Sequence, residues 1–323
     1  MIFPAEWAPH ELTIMGWPCR ESLWGQTIEQ ARTDYATVAN AIADFEDVTM
    51  IAASAADAHA AHAACAGRVQ IVEIPIDDSW LRDSGPIYVV DGQSRTAVHF
   101  RFNSWGEKFA PWDKDAAIGE LIARELGDQV INAPLVLEGG SVASNGAGVV
   151  LTTEQCLLNR NRNPQLTRDQ IEQLLGEYLG VKRLVWLGQG LLEDRDTDGH
   201  VDLVAAFTPD GRVLVQGVQD GNPNAPNVEE NLGRLADAGL QTVVIPHLPY
   251  AEVAGERVAV SYLNLYVCNG AVIVPVAGDE SDAEALSIIG SVFPERSVVP
   301  VPGRTIAYGG GGPHCITQQV PAV

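Results

Sequence analysis

The sequence predicts an α/β protein built from repeated strand–helix modules. Five amphipathic stretches carry helix start or stop signals, and each precedes a short β-branched run that is typical of a strand. The helical stretches begin near residues 28, 115, 168, 227 and 282, so the later modules repeat at roughly 55 residues. This repeat fits either modules arranged radially about one axis or an open α/β sheet, and the spacing alone does not choose between them.

The helices are recognised from their ends. Thr27 with Gln30 and Thr167 with Gln170 form capping-box patterns, and glycine or proline follows the last periodic residue of the other stretches. The predicted helices cover residues 28–45, 115–126, 168–179, 227–238 and 282–292, with an extra alanine-rich helix over 55–64. The predicted strands cover 48–51, 130–131, 183–185, 242–245 and 297–299, and 263–276 forms a hairpin with a type I′ turn at Asn269-Gly270.

Polar clusters follow the predicted strands and are the candidate functional segments. They cover residues 77–83, 138–140, 196–202, 261–264 and 309–315. If the modules are arranged radially, the five clusters meet near one axis. We therefore expect one catalytic domain over residues 1–323 with a single central site.

Composition excludes several function classes. The chain has 20 Lys and Arg against 42 Asp and Glu, and its net charge of −22 would repel a phosphate backbone. No apolar run approaches the roughly 20 residues of a membrane helix, and no signal peptide is recognisable, so we expect a cytoplasmic protein with neither nucleic acid nor membrane as a partner. The charge suits a small cationic substrate, although it equally suits plain solubility.

The five cysteines show no Cys-x-x-Cys pair, which argues against a disulfide framework or a metal finger. Four of them are expected to be small core residues, and Cys268 in an apolar strand is the clearest example. Cys315 differs, because it ends the segment Gly309-Gly-Gly-Gly-Pro-His314-Cys315. Such glycines allow the backbone to approach a ligand closely, but a glycine run can also form a simple loop.

His200 and Asp202 lie two residues apart and would share one face of an extended strand. The pair could act as a general acid and base near neutral pH, or it could contribute to a metal site with Glu138 and Asp83. The segment 77–83 adds three carboxylates, Trp80 and an arginine, a mixture suited to binding a guanidinium, although a capped surface turn would explain it as well. Glu138 ends an apolar strand and needs a partner, which a cationic ligand would supply.

Ordered motifs along nearly the whole chain resemble the agmatine deiminases, in the peptidyl-arginine deiminase-like branch of the guanidino-modifying (pentein) superfamily. The motifs are Pro4-Ala-Glu-Trp7, Gly16-Trp-Pro18, Asp77-Asp-Ser-Trp-Leu-Arg-Asp83, Phe102-Asn-Ser-Trp-Gly106, Leu137-Glu-Gly-Gly140, Arg160-Asn-Arg-Asn-Pro164, Gly199-His-Val-Asp202, Ser261-Tyr-Leu-Asn264, Gly310-Gly311 and His314-Cys-Ile-Thr-Gln318. The resemblance implies a five-bladed α/β propeller around a central active site. It also implies hydrolysis of agmatine to N-carbamoylputrescine and ammonia, without a metal or organic cofactor, as a step of polyamine metabolism.

The resemblance also assigns roles to residues of this sequence. It implies that Cys315 is the nucleophile, that His200 is the acid and base, and that Asp83 and Asp202 clamp the guanidinium. The implied substrate-binding residues are Trp80, Glu138, Asn264 and Asp196. The alternatives are deimination or amidino transfer on another guanidine, such as arginine or peptidyl-arginine, or a non-catalytic protein that binds polyamines.

Two departures from the family's pattern flank these residues. Leu203 stands where the family usually has Asn, and Gly312-Pro313 stands where Asn-Ile is expected. A free arginine substrate would also require a basic group for its carboxylate, and Arg20, Arg101 and Arg160 are candidates. No sequence feature distinguishes a monomer from a symmetric homo-oligomer, so both states stay open.

Overall fold

The computed structural model describes residues 1–323. The contacts between residues divide the chain into two compact units. The first unit comprises residues 1–8, 83–246 and 323, and the second comprises 9–82 and 247–322. The chain passes from one to the other between Arg82 and Asp83 and again between Pro246 and His247. The expectation of one catalytic domain over residues 1–323 stays a prediction.

The first unit contains three sheets of identical topology. In each sheet an antiparallel pair is extended by a parallel strand that follows a helix. The strands, in sheet order, are Ile87–Asp91, Ser94–Arg101 and Gln129–Val136; Ala143–Ser144, Val149–Thr153 and Arg183–Leu187; Ala205–Phe207, Val213–Gln216 and Thr242–Ile245. The helices are Ser104–Glu107, Asp115–Glu125, Glu154–Leu157, Arg168–Leu179 and Ala225–Asp237, with 3-10 turns at Gly139–Ser141 and Val201–Leu203.

The second unit contains a four-stranded sheet, a three-stranded sheet and a separate hairpin. The four-stranded sheet has the order Thr317–Pro321, His10–Gly16, Asp47–Ala52 and Val69–Glu73. The three-stranded sheet is Tyr266–Cys268, Ala271–Val276 and Ser297–Pro302, and the hairpin is Tyr250–Val253 with Glu256–Ala259. The helices are Glu21–Trp24, Ile28–Ala43, Ala55–Ala64, Asp282–Val292 and Arg304–Tyr308, with a 3-10 turn at Gly25–Thr27; the short helix Leu81–Ser84 spans the boundary between the units.

The repeated module predicted from the sequence is therefore present. Helix Arg168–Leu179 illustrates its physical basis, because the capping box of Thr167 and Gln170 is formed and Gly180 ends the helix at a φ of 68°. The helix buries Ile171, Leu175 and Leu179 against the sheets of the first unit. This apolar stripe at helical spacing packs the crossover helix of the module onto its core.

Three local predictions are wrong. Thr27 forms no side-chain cap; its hydroxyl donates instead to the carbonyl of Trp24, because a 3-10 turn precedes the helix. The turn at Asn269-Gly270 is not type I′, since only Gly270 has a positive φ. Asn269 is fixed elsewhere: its amide nitrogen donates to the carbonyl of His10, and its backbone N–H donates to Glu46. The helix predicted over 227–238 begins two residues earlier, at Ala225.

All five cysteines are free thiols. Cys156 and Cys268 are buried as expected, whereas Cys19 and Cys65 are only half-buried. None of the helices is both long enough and apolar enough to cross a membrane.

Candidate active site

Cys315 lies on the segment that connects helix Arg304–Tyr308 to strand Thr317–Pro321 in the second unit, and it is 3% exposed. Asn264 contacts it twice: the side-chain amide donates to Sγ at 3.1 Å, and Oδ1 accepts from the Cys315 backbone N–H at 3.2 Å. The carbonyl of Asn264 also accepts from His314. Asn264 therefore fixes both the backbone and the thiol of Cys315.

The glycines before Cys315 are required for space and for backbone conformation. A Cβ on Gly311 would lie 2.8 Å from the Trp80 ring and 2.9 Å from the Cys315 sulfur, and Gly310 has a φ of 107°. Trp80 stacks on Trp24 with ring centroids 5.9 Å apart. We define Cys315, Asn264, Trp80 and Gly311 as the nucleophile group, after the role predicted for Cys315; the group is closely packed around the thiol.

Three further predicted residues converge in the first unit. A Cβ on Gly140 would lie 2.6 Å from Nδ1 of His200 and 2.9 Å from carboxylate oxygens of both Asp83 and Asp202. Nδ1 of His200 is 3.8 Å from Oδ1 of Asp83, and Nε2 is 3.9 Å from Oε2 of Glu138. We define Asp83, Glu138, His200 and Asp202 as the acid–base group, after the role predicted for His200; three of its members surround Gly140, and Glu138 lies beside His200.

His200 is oriented by a tight turn rather than by a strand, so its pairing with Asp202 does not depend on the extended geometry considered from the sequence. Asp198 and Gly199 have φ angles of 64° and 85°, and a 3-10 turn begins at Val201. The buried carboxylate of Asp194 holds the turn by accepting from the backbone N–H of His200 at 2.9 Å and from the hydroxyl of Thr197 at 2.5 Å. The turn brings His200 and Asp202 together at Gly140 without an extended backbone.

Glu138 has a protein partner, contrary to the expectation that a ligand alone would supply one. Nε of Arg162 lies 2.5 Å from its Oε1, and both side chains are fully buried. The guanidinium of Arg162 also contacts Asp198 at 2.7 Å and donates to the carbonyl of Thr197. Oε2 of Glu138 has no hydrogen-bond partner, so half of the carboxylate stays available to a ligand.

Asp83 is held through both carboxylate oxygens. Oδ1 accepts from the backbone N–H of Gly140 at 2.9 Å, and Oδ2 accepts from the indole N–H of Trp105 at 2.8 Å. Trp105 lies in the turn Ser104–Glu107, where four consecutive residues have positive φ angles of 54°, 53°, 91° and 65°. A non-glycine residue in this region costs about 1–3 kcal/mol, so other contacts must stabilise the turn.

The turn Ser104–Glu107 is stabilised on both sides. Asn103 accepts from the backbone N–H of Gly106 and donates to the carbonyl of Asn161. The Trp105 ring packs edge-on against Phe102 and Phe109, with centroids 5.1 Å and 5.7 Å away. These contacts fix the indole N–H toward Asp83.

Burial and mutual charge set the protonation of the acid–base group. Burial raises the pKa of Asp83, with His200 lowering it and the carboxylates of Asp202 and Glu138 raising it further. Burial alone would lower the pKa of His200, but Asp83, Cys156 and Glu138 raise it well above its ordinary value. A protonated imidazole among carboxylates can donate a proton to a leaving group, while the carboxylates hold a cation.

Asp196 is the predicted site residue that lies apart from these contacts. It is exposed, and its backbone carbonyl accepts from Lys108, which also pairs with Asp198 at 2.8 Å. The buried carboxylate of this segment is Asp194, two residues earlier. Sequence reasoning did not single out Asp194, Trp105 or Arg162, although two of them stand in motifs quoted above, Phe102–Gly106 and Arg160–Pro164.

Comparison with known proteins places the chain in a family. The sequence profile of the Porphyromonas-type peptidyl-arginine deiminases matches residues 2–321. The chain belongs to this family. A similar curated relative is the agmatine deiminase of Stutzerimonas stutzeri, which is 42% identical over 99% of this chain and 95% of its own length.

Solved structures of the same family confirm the predicted fold class. The agmatine deiminase of Enterococcus faecalis superposes with a TM-score of 0.95 at 32% identity, covering 99% of this chain and 96% of its own. A C. jejuni agmatine deiminase with substrate bound superposes with a TM-score of 0.93 at 27% identity, covering 100% and 97%. Membership of a peptidyl-arginine deiminase family also confirms the prediction of a C–N hydrolase for guanidino groups over a non-catalytic binding protein.

Proposed function

We propose that this protein hydrolyses agmatine to N-carbamoylputrescine and ammonia. The convergence of Asp83, Asp202 and His200 on Gly140 carries the proposal, because two carboxylates beside an acid–base imidazole match a guanidinium that must lose ammonia. Support for agmatine comes from the agmatine deiminases to which this chain is similar over nearly their full length.

In the proposed mechanism the carboxylates of Asp83 and Asp202 bind the guanidinium, and the Cys315 thiolate attacks its central carbon. The C–S bond forms as the C=N electron pair moves to nitrogen, giving a tetrahedral adduct. His200 then protonates the departing nitrogen, and ammonia leaves an S-alkylthiouronium on Cys315. His200 next deprotonates a water that attacks the same carbon, and collapse of the second adduct breaks the C–S bond and releases the ureido product with the thiol.

The pairing of one candidate arginine favours agmatine over arginine. A free arginine would bring a carboxylate, and of the three candidate receivers Arg20 is already paired with the buried Asp78 at 2.7 Å. Arg101 and Arg160 are both exposed. Agmatine has no carboxylate and therefore requires no basic partner. The alternative guanidine is peptidyl-arginine, which the family's description names.

The test measures ammonia release from agmatine, arginine and a peptidyl-arginine without added metal. We expect turnover of agmatine and a loss of at least about 10³-fold in Cys315→Ala, because the covalent step disappears. A mass spectrum of the protein mixed with agmatine should show an amidino adduct on Cys315. Cys65→Ala is the matched control, since it removes a half-buried thiol elsewhere. Unimpaired turnover in Cys315→Ala would refute the mechanism.

We further propose a cytoplasmic location and a small cationic guanidine as the substrate. Five free thiols suit a reducing compartment, and the net charge of −22 attracts cations. Fractionation of expressing cells tests the location, and recovery of the protein outside the cytoplasmic fraction would contradict it.

A further inference from the structure

Cys156 is a second buried thiol beside the acid–base group, and the mechanism does not use it. It lies in the short helix Glu154–Leu157, whose cap Thr153 accepts from the Cys156 backbone N–H at 3.2 Å. Cys156, Glu138 and His200 are each fully buried, and one donor atom from each lies within 4.8 Å of the other two. A thiol, an imidazole and a carboxylate are the ligand types that bind zinc and similar divalent ions.

The donor atoms of this cluster are open to a ligand. Oε2 of Glu138 is buried and has no hydrogen-bond partner, and the buried ring nitrogens of His200 have none other than the thiol of Cys156. A buried polar atom without a partner destabilises the fold unless a ligand satisfies it, so this is an independent indication of a binding site. A guanidinium would satisfy some of these atoms during catalysis, but Cys156 has no role in that reaction.

The spacing fits a metal ion after small side-chain movements. Metal–ligand bonds of about 2.0–2.3 Å in a tetrahedral site place the ligand atoms about 3.5 Å apart. Nε2 of His200 is already 3.9 Å from Oε2 of Glu138. Glu138 is anchored through its other oxygen by Arg162, so the free oxygen keeps its direction.

Surrounding charges also suit a dication. Oδ1 of Asp83 lies 3.8 Å from Nδ1 of His200, which resembles the carboxylate–histidine–metal arrangement of zinc proteins. The positive charge of Arg162 is balanced by Glu138 and by Asp198, whose Oδ2 lies 2.7 Å from Nη1. The groups around a bound ion therefore carry a net negative charge.

We propose that Cys156, Glu138 and His200 form an inhibitory site for a thiophilic divalent cation such as Zn²⁺ or Co²⁺. Binding forms a metal–sulfur bond as the Cys156 thiol and the protonated imidazole of His200 each lose a proton to solvent, and thiolate and carboxylate together neutralise the dication. The lone pair of His200 then binds the metal and cannot take a proton from water. The inhibition rests on the proposed function, whereas the binding itself does not.

Cobalt absorption tests the binding directly. The folded full chain carrying Cys315→Ala, which removes the nucleophilic thiol as a competing ligand, is titrated with Co²⁺. We expect one equivalent to produce a sulfur-to-cobalt charge-transfer band and the visible bands of a tetrahedral ion. Adding Cys156→Ser should remove the charge-transfer band, and adding Cys268→Ser, the other buried thiol, should leave it.

Absence of the band in Cys315→Ala, or a band that survives Cys156→Ser, would overturn the proposal. Cys156→Ala is the second variant if circular dichroism shows that the serine protein is not folded.

Inhibition is measured in the enzyme with Cys315 intact. Zn²⁺ should inhibit ammonia release, and a chelator should reverse the inhibition. Cys156→Ser should raise the half-inhibitory Zn²⁺ concentration at least about tenfold, because disrupting a metal's ligand environment typically weakens binding by that factor. If the enzyme does not act on agmatine, the proposed function fails while the cobalt titration still decides the site. If it does act and Cys156→Ser leaves the inhibition unchanged, this inference alone fails.

Discussion

The acid–base group and the nucleophile group are held in different ways. In the acid–base group, Asp83 receives hydrogen bonds on both oxygens and Glu138 forms a buried ion pair with Arg162. In the nucleophile group, Cys315 is fixed by one neutral amide and by contact with glycine and stacked indole rings. Charge and hydrogen bonds stabilise the first, whereas close packing stabilises the second.

This difference predicts which substitutions each group tolerates. A buried carboxylate network depends on charge and pH, so isosteric changes that remove charge should be damaging there. A packed glycine segment depends on volume, so a single added methyl group should be damaging there.

Asp83→Asn preserves shape and removes one carboxylate from the acid–base group. We expect kcat/KM for agmatine to fall about 10³-fold, because the guanidinium loses a charged partner in a buried site. Asp128→Asn is the matched control, since this partly buried carboxylate also has two partners, Tyr88 and Arg95, but lies just before strand Gln129–Val136. A loss below tenfold in Asp83→Asn would show that charge does not dominate this group.

Gly311→Ala adds one methyl group to the nucleophile group. The new Cβ would meet the Trp80 ring at 2.8 Å and the Cys315 sulfur at 2.9 Å, so the thiol must shift. Because misplacement by about 1 Å can cost about 10²-fold, we expect kcat/KM to fall by that factor. Gly233→Ala is the control, since nothing lies within 4 Å of its Cβ in helix Ala225–Asp237, and it should raise the free energy of unfolding by about 0.5–1 kcal/mol. Full activity in Gly311→Ala would contradict the packing argument.

Trp105→Phe removes the indole N–H from Asp83 while keeping an aromatic ring between Phe102 and Phe109. We expect about a tenfold fall in kcat/KM, mainly through KM, because Asp83 keeps its charge but loses one of two orienting donors. Trp186→Phe removes a similar indole bond to Glu172, 2.7 Å long, away from the acid–base group. If the two substitutions change KM equally, Trp105 contributes to the stability of the fold and not to the orientation of Asp83.

The module structure and the residues that meet at Cys315 and at Gly140 were predictable from the sequence. Helix Arg168–Leu179 follows from a capping box, an apolar stripe and a terminal glycine, which are all local signals. Cys315 and His200 were identified by family motifs rather than by spacing. Their motifs carry the chemistry of a guanidine-hydrolysing enzyme, so the residues could be named before their positions were known.

Residues that orient others were not predictable, because their signals are not local. Trp105 reaches its hydrogen bond to Asp83 through a turn with left-handed backbone angles, which no residue propensity favours. Arg162 donates to Glu138, which lies 24 positions earlier in the sequence. The two-residue spacing of His200 and Asp202 would place both side chains on one face if the segment were extended. A buried carboxylate, Asp194, instead holds it as a turn, and burial cannot be recognised from one acidic residue among several.

The pH dependence of agmatine binding should follow the ionisation of the acid–base group. We expect this effect to be the smallest of the four predicted here. Burial raises the pKa of Asp83, so its charged form is lost at a higher pH than usual, and affinity in the Cys315→Ala protein should weaken as pH falls from about 8 to about 5. The raised pKa of His200 keeps its imidazole protonated to a higher pH than usual, so a loss of affinity on acidification reports the carboxylates. Trp105→Phe removes a hydrogen bond that lowers the pKa of Asp83, so its curve should shift to higher pH, while Trp186→Phe should not shift. Calorimetric titration measures both curves, and tighter binding at lower pH would reverse the sign required by an ionised clamp.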